Sequence, residues 1–285
     1  MSRVSLKQKL QEYRKHPLSF LMLLLVIFAI VITVGVLLSI LAYILIKGIP
    51  NLSPELFAWE YNSENVSMMP AIVNTVTVTA LSLLIAIPAG IFSAVYLAEY
   101  ARRGSRIVKI IRVTAETLSG IPSIIYGLFG YLMFVVYFKM GYSLLAGILT
   151  LAIMILPLIM RTTEEALKSV SDTYREGSFG LGAGKLRTVF KIVLPSAVPG
   201  ILSGIILSIG RIVGETAALI YTAGTVAGIP EQITGSGRTL SVHMYALWNE
   251  GLNGKEAYAT AVVLLFLVML MNLLSGFIAG KIKKR

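Results

Sequence analysis

The chain has 285 residues, of which 56% are hydrophobic and 14% are charged, and its formal net charge is +11. A mean hydropathy of +0.81, with several apolar runs longer than the roughly 18 to 20 residues that cross a bilayer, excludes a soluble globule and indicates a polytopic membrane protein. The absence of cysteine excludes disulfides and thiolate metal sites.

In chain order, the sequence predicts a cytoplasmic N-terminal segment at residues 1–17 and a single transmembrane domain at residues 18–285. The first apolar run is too long for the core of a cleaved signal peptide, so we interpret it as a retained helix surrounded by membrane lipid. The six predicted spans cover residues 18–46, 71–97, 107–138, 143–160, 196–227 and 258–280.

Most basic residues fall in four clusters, and all four clusters lie on one side of this six-span arrangement. The clusters are Arg3, Lys7, Lys9, Arg14 and Lys15; Arg102, Arg103, Arg106, Lys109 and Arg112; Arg161, Lys168, Arg175, Lys185, Arg187 and Lys191; and Lys281, Lys283, Lys284 and Arg285. The positive-inside rule therefore predicts that both chain ends are cytoplasmic. Because no basic face interleaved with aromatic residues lies outside these loops, we expect no nucleic-acid partner.

The third apolar region is longer than one span requires, and it contains Arg112, Glu116 and the breaker series from Gly120 to Pro122. We expect its first turns to lie outside the hydrocarbon and its helix to break near Pro122. Since Arg112 and Glu116 have the i,i+4 spacing of a helical ion pair, the sequence predicts that they pair at the cytoplasmic rim.

The segment at residues 228–257 joins the last two predicted spans on the outer side. Its middle, residues 240–248, is typical of a short amphipathic helix that rests at the membrane interface. His243 lies in this helix without a companion at metal-ligand spacing, so we expect no metal site there.

A polar segment at residues 161–195, here named the coupling loop, is enclosed by two apolar runs and must emerge on one face of the bilayer. It carries the pattern E-small-small-x3-G-x9-I-x-L-P through Glu176, Gly177, Ser178, Gly182, Leu194 and Pro195. Small side chains at Gly177 and Ser178 allow a partner to approach closely. Gly182 permits the turn that ends a short helix, and Pro195 suits a helix start as the chain re-enters the membrane.

This pattern resembles the EAA loop of ABC importer permeases. In that family the loop forms a short coupling helix that sits in a groove on a separate ATPase subunit. The resemblance implies that ATPase coupling in this chain involves Arg175, Glu176, Gly177, Ser178, Gly182, Leu194 and Pro195. Gly177 and Ser178 stand where the family pattern has two alanines, which weakens local helicity by ~0.5 to 1 kcal/mol for the glycine but keeps a small-residue surface.

The adjoining sequence from Gly180 to Lys185, GLGAGK, is similar to a phosphate-binding loop. A Walker A motif, however, needs glycine at the position of Phe179 and serine or threonine at the position of Leu186. We therefore expect this chain to bind no cofactor, and we expect ATP and Mg²⁺ to be bound by the partner ATPase.

The predicted fifth span contains two charged residues, Arg211 and Glu215. At ~1.5 Å per residue, Arg211 lies about 24 Å along the helix from Pro195, toward the outer half of the bilayer. A charge at this depth costs at least ~2.5 to 3.5 kcal/mol and needs a partner, which Glu215 supplies at i+4. Two interpretations stay open: a pair that only fixes helix contacts, or a cation that attracts an oxyanion in transit while the carboxylate discourages tight binding.

The pattern R-x-x-G-E-T-A-x-L-x-x-T-A at residues 211–223, together with GIPSIIYGLF at residues 120–129, resembles the PstA family of phosphate importer permeases more closely than its sister PstC family. The resemblance covers nearly the whole chain from the first span onward. It implies an all-α, type I ABC importer permease fold with about six transmembrane helices. It also implies a role in phosphate passage for Arg211 and Glu215, and Thr216 lies beside them.

The resemblance further implies an assembly in the prokaryotic plasma membrane with a PstC-like permease, two PstB-like ATPases and a PstS-like phosphate-binding protein. The predicted function is that of a permease subunit in an ATP-driven importer of inorganic phosphate, working by alternating access and catalysing no reaction itself. Two alternatives remain: a permease for sulfate, molybdate or phosphonate, and a secondary transporter or channel that needs no ATPase.

Overall fold

The computed structural model describes residues 17–102, 104–251 and 253–283. The predicted N-terminal segment, apart from Pro17, lies outside the described residues, as do Arg103, Lys284 and Arg285 of the basic clusters. The helices are α1 (Pro17–Gly48), α2 (Met69–Tyr100), α3 (Arg106–Ser119), α4 (Ser123–Tyr137), α5 (Leu144–Ser169), α6 (Asp172–Gly180), α7 (Lys185–Val213), α8 (Ala217–Thr222), α9 (Leu240–Glu250) and α10 (Gly254–Lys283).

Among the described residues, 5 helices are long and apolar enough to cross a membrane: α1, α2, α5, α7 and α10. Helices α3 and α4 make a sixth span only if they are taken together, and they are bent by 103° at the break between them. At ~1.5 Å per residue, α4 is about 22 Å long, shorter than the ~30 Å hydrocarbon core. These helices confirm the predicted all-α polytopic fold with about six spans.

The break between α3 and α4 confirms the predicted interruption near Pro122. Gly120 caps the end of α3, and Pro122 precedes α4 in an extended conformation with ψ at 140°. On α3, Ile107, Ile110, Ile111 and Val113 are exposed although the helix also carries Lys109.

One predicted boundary of the coupling loop is wrong, and the other is confirmed. Helix α5 continues past Met160 to Ser169, because residues 161–168 contain several good helix formers and two i,i+4 ion pairs that offset the low helix propensity of Thr162 and Thr163. Helix α7 begins at Lys185 with a short α-helical turn and a π-helical turn, and its regular α-helix begins at Leu194. Pro195 therefore stands in the first turn of that regular helix, which confirms the predicted helix start. A wider π-helical turn at Val189–Val193 ends two residues before Pro195, which cannot donate a backbone hydrogen bond.

Helix α5 forms the core of the bundle and packs between α2 and α7. Its side chains Leu151, Ile155 and Ile159 are fully buried. Helix α1 lies at the periphery of the bundle and contacts α10. No residue in its most apolar stretch is buried in the protein. The bundle is thus built around α5. The coupling loop begins at the C-terminal end of α5, and the N-terminal end of α5 lies at the opposite end of the bundle.

Helix α9 confirms the helix predicted at residues 240–248. Its apolar face packs into the protein against α10 and α2, and its position at the membrane interface stays a prediction. Leu240, Val242 and Leu247 are fully buried. Gly251, with φ at +73°, ends the helix in the left-handed conformation that glycine tolerates.

Candidate functional site

The coupling loop contains the predicted short helix, α6, followed by a tight turn. Ser171 caps the start of α6 by accepting a hydrogen bond from the Thr173 N–H at 3.4 Å. Gly182 has φ at +78°, and its N–H donates to the Phe179 carbonyl at 2.9 Å. The turn that Gly182 was predicted to make is therefore confirmed.

The outer face of α6 and its turn exposes large apolar side chains together with Glu176 and Gly177. Leu181 is 91% exposed and Leu186 is 67% exposed. An exposed apolar patch of this kind on a polar loop is typical of a protein-binding surface.

Ser178 does not belong to that outer face. It is buried, and its hydroxyl lies 2.8 Å from the Thr188 hydroxyl at the start of α7. The predicted small-residue surface is therefore wrong for Ser178, whose position on the helix turns it inward, while Gly177 is exposed and its docking role stays a prediction. Leu194 and Pro195 lie at the start of the regular α-helical part of α7, twelve and thirteen residues after Gly182.

Arg175 connects α6 to two other helices. Its guanidinium forms a 2.7 Å salt bridge with Glu99 at the end of α2 and a 3.1 Å salt bridge with Asp172. It also donates to the Leu167 and Val170 carbonyls, at 2.9 and 2.7 Å, where α5 ends. The hydrogen bond to Glu99 is the main reason why the pKa of Arg175 is raised. Arg175 therefore positions the coupling helix from within.

A second charged group fastens α3 to the cytoplasmic extension of α5. The buried Glu164 forms salt bridges with Arg112 at 2.7 Å and with Lys168 at 2.6 Å. Glu116 lies 3.6 Å from Arg161 instead. The predicted pair between Arg112 and Glu116 is therefore wrong. Because α3 packs across α5, Arg112 pairs with the buried carboxylate of Glu164 and not with the exposed carboxylate of Glu116.

The predicted fifth span ends earlier than expected. Helix α7 stops at Val213, Gly214 caps it, and the short helix α8 follows. A carboxylate oxygen of Glu215 accepts the Ala218 N–H at 3.1 Å, and the Glu215 carbonyl accepts the Ser241 hydroxyl at 2.5 Å. These bonds satisfy backbone groups that the break would otherwise leave unpaired.

The predicted ion pair between Arg211 and Glu215 is also wrong, since i,i+4 contact requires an unbroken helix. In the ranges that the structure describes, Arg211 has no salt bridge and no side-chain hydrogen bond. Its half-buried side chain lies in the last turn of α7, within electrostatic range of Tyr126 on α4. The half-buried Thr216 has its hydroxyl 3.4 Å from the Gly214 carbonyl.

The two helix breaks lie side by side. A Cβ atom on Gly127 of α4 would come 2.8 Å from the Ala218 Cα, so α4 and α8 are in close backbone contact. The Tyr126 hydroxyl donates to the Leu118 carbonyl at 2.9 Å across the break between α3 and α4. Non-helical backbone within a membrane is tolerated where it is buried in protein or lines a water-filled cavity, as in transporters.

The described ranges contain no group of three or more His, Cys, Asp or Glu side chains that could hold a metal ion. The sequence does match, over residues 86–285, the family described as "Binding-protein-dependent transport system inner membrane component". The chain belongs to this family. As an inner membrane component it is a multi-pass transport subunit of the ABC permease type.

Two relatives of this inner membrane component define its type within the family. The "Probable ABC transporter permease protein YqgI" of Bacillus subtilis (strain 168) is 32% identical over 275 residues, 89% of this chain and 92% of that protein. The "Phosphate transport system permease protein PstA" of Pasteurella multocida (strain Pm70) is 37% identical over 247 residues, 82% of this chain and 84% of that protein. The predicted resemblance to the PstA family is confirmed.

The fold of this inner membrane component also has a solved counterpart. In the "Crystal structure of a bacterial ABC transporter involved in the import of the acidic polysaccharide alginate", a matching chain has a TM-score of 0.67 and 18% sequence identity, and the match covers 96% of this chain and 99% of that chain. At this identity the likeness establishes the fold alone, and it confirms the predicted ABC importer permease architecture.

Proposed function

We propose that this chain is the permease subunit of an ATP-driven importer of inorganic phosphate. The observation that carries the proposal is the Arg211 guanidinium, which lies beside two interrupted helices without a carboxylate partner in the described part of the chain. The names of the PstA relatives support phosphate as the substrate, because they are called phosphate transport permeases.

An unpaired cation at this position suits an anion in transit. A guanidinium offers a planar fork of N–H donors that matches two oxygens of a tetrahedral oxyanion. Glu215, engaged at the start of α8, leaves the positive charge of Arg211 uncompensated, and the half-exposed Thr216 hydroxyl can add a hydrogen bond. Only a few such groups are required, since a transit site must attract its ion without trapping it.

The coupling loop would take its movement from a separate ATPase, which would bind ATP and Mg²⁺. The exposed side chains of Leu181 and Leu186, together with the exposed Glu176 of α6, suit a groove on that subunit. Arg175 ties α6 to the ends of α2 and α5, so a displacement of α6 would reach both spans. Rocking of these spans would expose the region around Arg211 to each side in turn.

The proposed assembly contains a PstC-like permease, two PstB-like ATPases and a PstS-like phosphate-binding protein. We infer from the basic clusters that both chain ends and the coupling loop face the cytoplasm. The proposal treats residues 18–285 as one transmembrane domain that forms half of the translocation pathway.

The test is ATP-dependent uptake of labelled phosphate into vesicles that hold the full assembly, with sulfate and molybdate as competitors. We expect uptake that stops when either the ATPase or the PstC-like subunit is left out, and that an excess of sulfate or molybdate does not reduce. Strong competition by another oxyanion would favour a different oxyanion substrate. Phosphate accumulation by this chain alone would contradict the ABC mechanism.

A further inference from the structure

At the end of the bundle opposite the coupling loop, Arg238 is buried without a counter-charge. It is 4% exposed, and in the described part of the chain its Nε and one terminal nitrogen have no hydrogen-bond partner. Its guanidinium carbon lies 4.8 Å from the centre of the Tyr61 ring, a cation–π contact. None of the described acidic side chains forms a salt bridge with it.

His243 lies against the same aromatic ring. It is fully buried, its ring meets Tyr61 edge-on with 6.2 Å between centroids, and neither ring nitrogen has a partner of hydrogen-bond geometry among the described residues. Burial, and then the charge of Arg238, lower the pKa of His243 to about 3, while the nearby Val66 backbone acts in the opposite direction. His243 is therefore neutral, and the group formed by Tyr61, Arg238 and His243, here named the outer cluster, has one positive charge.

An uncompensated charge in a buried position is strongly unfavourable, and one aromatic face offsets only part of that cost. The free groups of the outer cluster are mainly donors: two guanidinium nitrogens and one N–H of a neutral imidazole. Donors of this number and charge match a tetrahedral oxyanion, which has four acceptor oxygens and a negative charge. A bound oxyanion would supply the missing partners of both side chains at once.

The outer cluster is connected to the break between α7 and α8. The Ser241 hydroxyl, between Arg238 and His243 in sequence, donates to the Glu215 carbonyl. The Arg238 carbonyl accepts from the Asn74 amide at 3.1 Å, and the Arg238 N–H donates to the Val226 carbonyl at 2.9 Å. The backbone around Arg238 is thus held rigidly next to the elements that present Arg211.

We propose that Arg238 and His243 form a second oxyanion-binding site, which phosphate occupies on the outer side before it reaches Arg211. This inference rests on the proposed function in taking phosphate as the ion. In the conformation described, the Tyr61 ring covers the guanidinium, so the site opens when the loop between α1 and α2 moves the ring aside. The competing explanation is that Arg238 only anchors Tyr61 through the cation–π contact.

The experiment uses the purified assembly without the phosphate-binding protein, so that binding by the permeases is observed directly. The probe is inorganic phosphate, with chloride at equal ionic strength as the reference, and the readout is the phosphate concentration that gives half of the maximal rise in unfolding temperature. Arg238→Gln is expected to raise that concentration at least about tenfold, because losing one hydrogen bond from a charged donor exceeds a tenfold change in affinity. Tyr61→Leu, the matched comparison, removes both the cation–π contact and the ring that covers the guanidinium, so it should not raise that concentration.

The second site would be overturned if Arg238→Gln left the half-maximal phosphate concentration, here named the half-point, unchanged. It would also be overturned if Tyr61→Leu raised the half-point as much as Arg238→Gln does. If Arg238→Gln does not assemble, Arg238→Lys decides the question, because it keeps the positive charge but loses the planar pair of N–H donors. A severalfold rise of the half-point in Arg238→Lys supports the site, and an unchanged half-point refutes it.

ATP-driven uptake separates the two proposals. If Arg211→Gln abolishes uptake while Arg238→Gln leaves both uptake and the half-point unchanged, only the second site fails; absence of phosphate uptake by the unmodified assembly refutes the proposed function itself.

Discussion

Replacing Arg175 with methionine tests how the coupling helix is held. The substitution keeps an unbranched side chain but removes the guanidinium that joins α6 to α2 and α5. Glu99, whose side chain is 9% exposed, then loses its salt bridge of 2.7 Å. Leaving one member of a buried pair without its partner costs about 3 kcal/mol or more. The contact to Asp172 adds little, because that carboxylate is 72% exposed.

Hydrogen exchange at the backbone amides of α6 measures this cost directly. A local loss of about 3 kcal/mol corresponds to roughly a hundredfold lower protection in Arg175→Met. The control is the double variant Arg175→Met with Glu99→Gln, which removes both charges and should recover the part of the protection that the unpaired Glu99 carboxylate costs, but not the part due to the lost bonds to the Leu167 and Val170 carbonyls. Unchanged protection of α6 in the single variant would refute the view that Arg175 positions this helix.

Three further predictions concern single side chains. Glu176→Lys should prevent co-purification of the ATPase while membrane insertion stays normal, since Glu176 is exposed on the coupling helix and contacts nothing that insertion requires; unchanged co-purification contradicts its docking role. Arg211→Gln should abolish phosphate uptake in vesicles without affecting assembly, and normal uptake would assign Arg211 a purely structural role. The depressed pKa of His243, about 3, implies that its neutral form stabilises the fold at pH above its unfolded value near 6.5, and that this stability is lost as the pH falls from about 6.5 toward 3. His243→Gln should therefore flatten the fall in unfolding temperature over that pH range, and an unaltered profile would show that His243 does not titrate there.

The features predicted well from the sequence depend on neighbouring residues in the chain. Apolar runs specify spans, Pro122 specifies the break after α3, and Gly182 specifies the turn after α6, because each effect acts within a few residues. Ser178 shows the limit of this reasoning. Its small size was evident from the sequence, but its inward direction depends on where Thr188 and the start of α7 lie.

The features predicted wrongly or missed depend on contacts between distant segments. Arg112 was assigned its nearest acidic neighbour in sequence, whereas the bundle offers it Glu164 on another helix. The contact of Arg238 with Tyr61 joins two loops separated by most of the chain. An isolated arginine in a polar loop normally indicates exposure to solvent, so nothing in the sequence distinguishes Arg238 from a surface residue.

The end of α7 at Val213 decides whether Arg211 has a partner, and Gly214→Ala tests this. Gly214 has helical backbone angles, φ −84° and ψ −5°, and the nearest atom to an added Cβ is 3.5 Å away, so alanine fits. Alanine favours the helix by about 1 kcal/mol over glycine and would tend to extend α7 through Glu215. An extended α7 brings Glu215 onto the face of Arg211, where pairing would neutralise the charge that attracts an anion.

We expect phosphate uptake to fall severalfold in Gly214→Ala. In the control Gly210→Ala, which adds the same methyl group inside α7 with no atom within 4 Å, uptake should not change. Equal uptake by both variants would show that the break does not control the charge of Arg211.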